Sequence, residues 1–443
     1  MKQKTKFKQV EIGMIPEDWS IAKFRTILSQ NIRHGIYKSK EYFDYQGVRL
    51  LKMGDINSND RISDQNMERV LVSENEIKRF RIYDGNLIFA RTSMMTGGLG
   101  NCSIVMKHDD PIIFDGNLLC AEIDTKVAKP EFYFYYFKSK RGQNEIAKMT
   151  TGTQSRNIPG SKLMEVNIPI VNKLEQNKIA SILSCLDFKI KLNRQTNKTL
   201  EGIGKAIFKH WFIDFEFPNE EGKPYKSSDG EMIYNEEIMK EIPKGWKIGF
   251  LGDGILTKIS KPGIARFSDK KIYLDTSSVQ NSHIIKTDYK ITYDEKPTRA
   301  NMQPKVSTVW FAKMKESEKI LFFDNYSTQR LENFILSTGF AGLDVEDFAL
   351  YYIWCIISNS KFEKEKDNLC NGTTMQAINN ENIMKISVIN PEKIILSKFN
   401  NLIKSTYQKI YQNDLQSQTL SRIRDSLLPK LMSGKIRVPV EVR

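Results

Sequence analysis

The sequence predicts an α+β fold with a pseudo-twofold internal repeat: two similar mixed α/β domains separated by two long helices that pair as a coiled coil. Three observations predict it. Short motifs recur in the same order in the two halves of the 443-residue chain. Two long stretches, Asn172 to Phe212 and Glu392 to Met432, carry apolar residues at heptad spacing. The segments before them hold short β-type runs broken by Gly, Asp and Asn. The length calls for more than one domain, and 40% hydrophobic with 27% charged residues is a globular composition.

The repeat begins at "IPEDWSIAKF" (Ile15 to Phe24), which resembles "IPKGWKIGFL" (Ile242 to Leu251). Pro16 aligns with Pro243 and Trp19 with Trp246. "LIFAR" (Leu87 to Arg91) then matches "VWFAK" (Val309 to Lys313), and "EFYFYYF" matches "DFALYYI", with Tyr135-Tyr136 on Tyr351-Tyr352. "TTGTQSRNI" resembles "LCNGTTMQAI", with Gly152 on Gly372 and Thr153 on Thr373. In the long stretches Asn193 falls on Asn413, Leu200 on Leu420, Ile203 on Ile423 and Ile207 on Leu427. Matches that keep their order over half a chain mean one duplicated unit, not a solenoid.

Within each unit the elements follow in order. Runs such as "NLIFA" and "CSIVM" read as short strands. Aromatic-rich helices are predicted over 130–141 and 346–360. A long helix closes each unit. In the first, Ile179, Leu186, Leu200 and Ile207 occupy one heptad position, and Ile182 and Ile203 the other. In the second, Phe399, Leu420 and Leu427 stand with Leu402 and Ile423. Asn193 and Asn413 share a central position, where a polar residue weakens a seam but sets its register. The same pattern also fits amphipathic helices that pack on their own domains. At about 1.5 Å per residue, forty residues span roughly 60 Å, a stiff spacer. The closing stretch "TLSRIRDSLLPKLMSGKIRV" is the second copy of this helix, and Pro429 and Gly434 are expected to mark its end.

A net charge of +14 and a pI near 9.2 point to a polyanionic partner, nucleic acid ahead of an anionic surface. The longest apolar run, "FALYYIWCII" (Phe348 to Ile357), is too short to span a bilayer. The lysine-studded start lacks an apolar core, so no signal peptide is expected. Cys102, Cys120, Cys185, Cys355 and Cys370 are odd in number and far apart. That suits a reducing cytoplasm and neither disulfides nor a zinc site.

Catalytic patterns are missing. No GxxxxGK[ST] occurs, and "TGGLG" (Thr96 to Gly100) lacks dinucleotide-binding spacing. His34, His108, His210 and His283 are isolated, and no GxSxG elbow is present. Asp214 with Glu221 and Lys223 forms a nuclease-like string, but it lies in a polar linker that could not hold two carboxylates around a metal. No Asn/Asp-Pro-Pro-aromatic tetrapeptide of an amino-methyltransferase is found. The expectation is a chain with no catalytic residues and no metal of its own.

Two similar modules on a stiff spacer suit duplex DNA, which presents the same face roughly every 34 Å. Lys and Arg on phosphates would supply affinity, and polar side chains on base edges the choice of sequence. Candidate contacts lie in basic, glycine-marked loops. In the first module they are Arg33, Lys38, Lys40, Arg91, Thr92, Gln154, Ser155 and Arg156. In the second they are Lys258, Lys261, Arg266, Lys313, Thr374 and Gln376. Each is also readable as an ordinary solvated residue.

The openings "IPEDW" and "IPKGW", the stretch "HWFIDFEFPNEEGKPYKSS" and the closing "LLPKLMSGKIRV" resemble the specificity (S) subunit of type I restriction-modification enzymes. The resemblance covers essentially the whole chain. It implies that the two helices pair antiparallel and hold two target-recognition domains apart, each reading half of a bipartite, asymmetric DNA site. It implies domain limits of 1–171, 172–217, 218–391 and 392–443: recognition domain, spacer helix and exit, linker with second recognition domain, second spacer helix and tail. It implies no catalysis in this subunit. S-adenosylmethionine would sit on two methyltransferase (M) subunits, and ATP and Mg on two restriction (R) subunits of a cytoplasmic complex. The competing expectation is a non-catalytic coiled-coil scaffold that reads no DNA sequence.

Overall fold

The computed structural model describes residues 6–93, 100–150, 156–373 and 375–439. The chain divides into two units, Met1–Asn193 with Leu415–Arg443, and Arg194–Asp414. The dividing line falls inside both long helices, so the first unit is discontinuous in sequence.

In the first unit a five-stranded sheet has the order Arg33–His34, Leu118–Ala121, Leu87–Ala90, Cys102–Val105, Arg61–Ile62. Its three inner strands are buried at every position, which explains why they read as unbroken apolar runs rather than alternating ones. Leu87, Phe89, Cys102 and Ile104 face the aromatic helix Pro130–Lys138. Ile88, Ala90, Val105 and Cys120 face a second sheet through Leu51, Ile112 and Phe114. The helix is apolar all round because it is buried all round. Phe137 meets Phe89 edge-on at 5.0 Å. The hydroxyls of Tyr133 and Tyr136 donate to the Pro169 and Asn167 carbonyls at 3.1 and 2.8 Å. Those bonds tie it to the strand Asn167–Ile170, just before the long helix.

The second unit repeats this plan. Its antiparallel sheet runs Thr257–Ser260, Phe340–Val345, Thr308–Ala312, Ile320–Phe323. Val309, Phe311 and Leu343 face the helix Leu350–Ile357, and Trp310, Leu321 and Phe323 face Leu274 and Leu336 of a second sheet.

The long helices are Lys173–Phe208 and Lys393–Met432. Asn172 caps the first, its Oδ1 accepting from the Leu174 N–H at 2.8 Å. They run antiparallel in each unit. In the first unit Asp187 meets Arg424 at 2.9 Å, and Asn193 donates to Gln416 and Ser417 at 2.9 and 3.2 Å. In the second, Asn413 donates to Asn197 at 2.9 Å, Asn197 donates to Asp414 at 2.8 Å, and Gly204 lies against Tyr407.

The seam differs from the expected one by a single residue on one row. Ile203, Leu402 and Ile423 are 46%, 50% and 42% exposed, and so lie outside it. Ile182 is exposed too. Their C-terminal neighbours Leu183, Gly204 and Ile403 are buried instead, and Arg424 turns inward to Asp187. The reason is chemical. This row includes Asn197, which hydrogen-bonds across it, and Gly204, which leaves room for the Tyr407 ring. An apolar pattern search skips both. Ile179, Asn193, Phe399 and Asn413 are buried, while Leu186, Leu200, Ile207, Leu420 and Leu427 are half-buried.

The end of the second helix also differs from expectation. Pro429 lies inside the helix, whose last residue is Met432. At this position a proline frees only the carbonyl of exposed Asp425. Gly434 is the terminator, with φ +68°, and a Cβ there would stand 2.3 Å from Pro16. The tail then closes on the start of the first unit. Arg437 donates to both Asp18 carboxylate oxygens at 2.8 and 2.7 Å and to Glu175 at 2.9 and 3.0 Å. The Trp19 indole also donates to Glu175, at 3.2 Å. The exit of the first helix makes the matching contact in the second unit, where Phe217 stacks on Trp246 at 5.0 Å.

Candidate nucleic-acid interface

The basic candidates gather where the sheet strands give way to loops, and the structure separates them by what they touch. Arg33 turns inward. It donates to the Arg79 and Arg81 carbonyls at 2.9 and 3.0 Å and lies over the Phe114 ring. It thus places a positive charge at the C-terminus of the helix Glu74–Phe80. Lys38 is also engaged, with Glu76 at 2.8 Å and the Tyr42 ring at 4.6 Å. That bond from Lys38 holds the Glu76 carboxyl below its usual range. Neither residue is a free surface cation, which departs from the expectation for both.

Other candidates stay open to solvent. Lys40 is exposed at the 3-10 turn Lys40–Tyr42. Lys258, Lys261 and Arg266 are exposed, with Arg266 over the Tyr293 ring. Gln376 is exposed while its carbonyl accepts from the Lys315 N–H at 3.0 Å. Gln154, Ser155 and Thr374 lie outside the described residues. Arg156 lies in the strand Arg156–Asn157, which pairs with Thr92–Ser93 and places Asn157 opposite Thr92.

Arg91 and Lys313 are half-buried at the ends of matching strands. The Arg91 carbonyl accepts from the Ile158 N–H, and the Lys313 carbonyl from the Ile378 N–H, each at 2.9 Å. The Arg91 guanidinium reaches the Tyr37 hydroxyl at 3.5 Å, and its Nε is buried without a partner among the described residues. Burial, and then the charge of Lys261, lower the Lys313 amine. His34 beside Arg91 is lowered in the same way, by desolvation first and Arg91 second. Sequence reasoning alone treats His34 as an isolated histidine. Carrying the repeat alignment into the strands would have found it.

Burial pushes the Cys120 and Cys355 thiols up to about 12, leaving them protonated and unreactive. Among the described residues no group of three His, Cys, Asp or Glu side chains could hold a metal ion, and no helix is long and apolar enough to cross a membrane.

Two sheet-and-helix modules of one plan, each completed by antiparallel long helices, make a duplicated fold. The family model described as "Type I restriction modification DNA specificity domain" matches residues 16–202. The type I restriction enzyme MjaIX specificity subunit of Methanocaldococcus jannaschii is 29% identical over 98% of this chain and 97% of its own length. The HindI specificity subunit of Haemophilus influenzae is 23% identical over 92% of this chain and 98% of its own. The crystal structure of the type I restriction-modification S subunit from M. genitalium has a TM-score of 0.57 at 15% identity, covering 94% of this chain and 96% of that one, a likeness of fold. Along nearly its whole length the chain is similar to type I restriction-modification specificity subunits.

Proposed function

We propose that this subunit binds a bipartite, asymmetric DNA site, with the first unit reading one half and the second unit the other. The observation that carries the reading is the repeat itself: both units end matching strands in a half-buried cation, Arg91 and Lys313, on a chain of net charge +14. The cations would hold backbone phosphates, and the polar residues of the neighbouring loops would meet base edges. The subunit acts without catalytic residues of its own and directs two M subunits, which carry S-adenosylmethionine, and two R subunits, which use ATP and Mg. Exposed apolar side chains on the long helices suit such docking: Phe188 and Leu192 on the first, Leu402 on the second.

The test is a selection from a randomised duplex library with the chain and its M subunit. A bipartite consensus is expected. Replacing residues 1–171 with those of a relative should then change one half only. No enrichment, or a change in both halves, refutes the reading.

A further inference from the structure

The rims of the two units match most closely at one pair of side chains. In the first unit His34 lies opposite Leu119, and Ala90, just before Arg91, lies opposite Leu118. In the second, Ser260 lies opposite Gly342, and Ala312, just before Lys313, lies opposite Phe340. Continuing each ladder by one residue puts Lys261 in the place of His34 and Lys313 in the place of Arg91. The backbone ties from Ile158 and Ile378 coincide as well. So does the segment behind the pair. Gly160 backs His34, whose Nε2 is 3.3 Å from the site of an added Cβ, and Asn379 and Asn380 line one shallow hollow with Lys261 and Lys313.

In each pair the charge of one member opposes protonation of the other. Exposed Glu381 lines the second hollow with Lys261 and Lys313. Arg33, Lys38 and Arg437 differ in being held by carbonyls or carboxylates, whereas the Arg91 guanidinium meets only the Tyr37 hydroxyl, at 3.5 Å, among the described residues. Charging both members of a pair costs free energy that an anion between them would return. The arrangement is the same in both units while its chemistry differs, His and Arg in one, two Lys in the other. That suits a ligand common to both half-sites rather than a base peculiar to one. We propose that His34 with Arg91, and Lys261 with Lys313, are repeat-equivalent clamps that each grip a backbone phosphate of the DNA. This rests on the DNA-reading function above.

The experiment uses the full chain and a fluorescent duplex, with affinity measured by anisotropy from 50 to 200 mM salt as in a counterion-release analysis. Lys313→Gln and Arg91→Gln should each lower the slope of log K against log salt by about 0.9 for each phosphate no longer neutralised, and the bases enriched from a random library should not change. Lys313→Arg and Arg91→Lys should keep the wild-type slope. An unchanged slope in both Gln variants, or an altered base preference, overturns the proposal. If Lys313→Gln does not melt like the wild type, Lys261→Gln at an exposed position carries the same readout. Failure of the function itself is distinct: the wild type would then enrich no sequence, while the slope could still be read on any duplex.

Discussion

Asn413→Ala gives the most direct view of the seam's chemistry. Asn413 and Asn197 are 4% and 3% exposed, and the Asn413 amide donates to the Asn197 Oδ1 at 2.9 Å. The substitution removes this donor and leaves a buried amide oxygen without it. One lost hydrogen bond contributes about 1 kcal/mol, and the stranded acceptor brings the cost to about 2 kcal/mol. Asn197 also donates to Asp414 and to the Ile410 carbonyl, so Asn197→Ala should cost more than Asn413→Ala. The double variant Asn197→Leu with Asn413→Leu removes both amides, leaves Asp414 facing Arg330 at 3.8 Å, and should cost less than the sum of the two Ala variants. The assay is urea unfolding of the full chain, followed by the fluorescence of Trp211, Trp246, Trp310 and Trp354, with midpoint and slope fitted separately. An Asn413→Ala midpoint equal to the wild type would refute the reasoning. A Leu double variant that costs the full sum of the two Ala variants would do so as well.

Further predictions concern the seam's register and the tail. Gly204→Leu should destabilise by about 2 kcal/mol, because its Cβ alone would stand 3.2 Å from the Tyr407 hydroxyl, and overpacking carries that cost. Ile203→Asn, one residue away and exposed, should stay within about 0.5 kcal/mol in the same melt; the reverse ranking would restore the heptad register expected from the apolar pattern. Arg437→Met should cost about 2 kcal/mol, through the charged hydrogen bonds to buried Glu175 and to Asp18. Hydrogen bonding from Arg437 holds the Asp18 carboxyl below its ordinary value, so this stabilisation is present above the ordinary carboxylate range and fades as pH falls through the lowered value. The gap between wild type and Arg437→Met in thermal melts should therefore narrow in acid; a gap that is constant with pH would contradict the clasp.

The duplication and the two long helices are legible because periodicity survives drift. A heptad repeats often enough to stand out, and a motif such as "IPEDW" recurs with its proline and tryptophan in place. The row of the seam that holds Asn197, Gly204 and Arg424 is not legible, since each is buried for a reason particular to its partner. The rim is readable only by residue type, and type does not say where a cation points. Arg33 and Lys38 look like surface charges in sequence, yet carbonyls and a carboxylate from the helix Glu74–Phe80 and its C-terminal neighbour claim them. His34 looks inert in sequence because what matters about it, its place beside Arg91, arises from strand pairing across residues far apart in the chain.

The tail clasp also sets an order of assembly. The second unit is a single stretch, Arg194–Asp414, and all of its residues are synthesised before the tail. The first unit needs Leu431, Met432, Gly434 and Arg437 to cover Trp19 and neutralise Glu175. The domain synthesised first is therefore finished last. Until then its tryptophan face stays open to water, and a released chain ending at residue 430 would carry every residue of the second unit but leave the first unfinished.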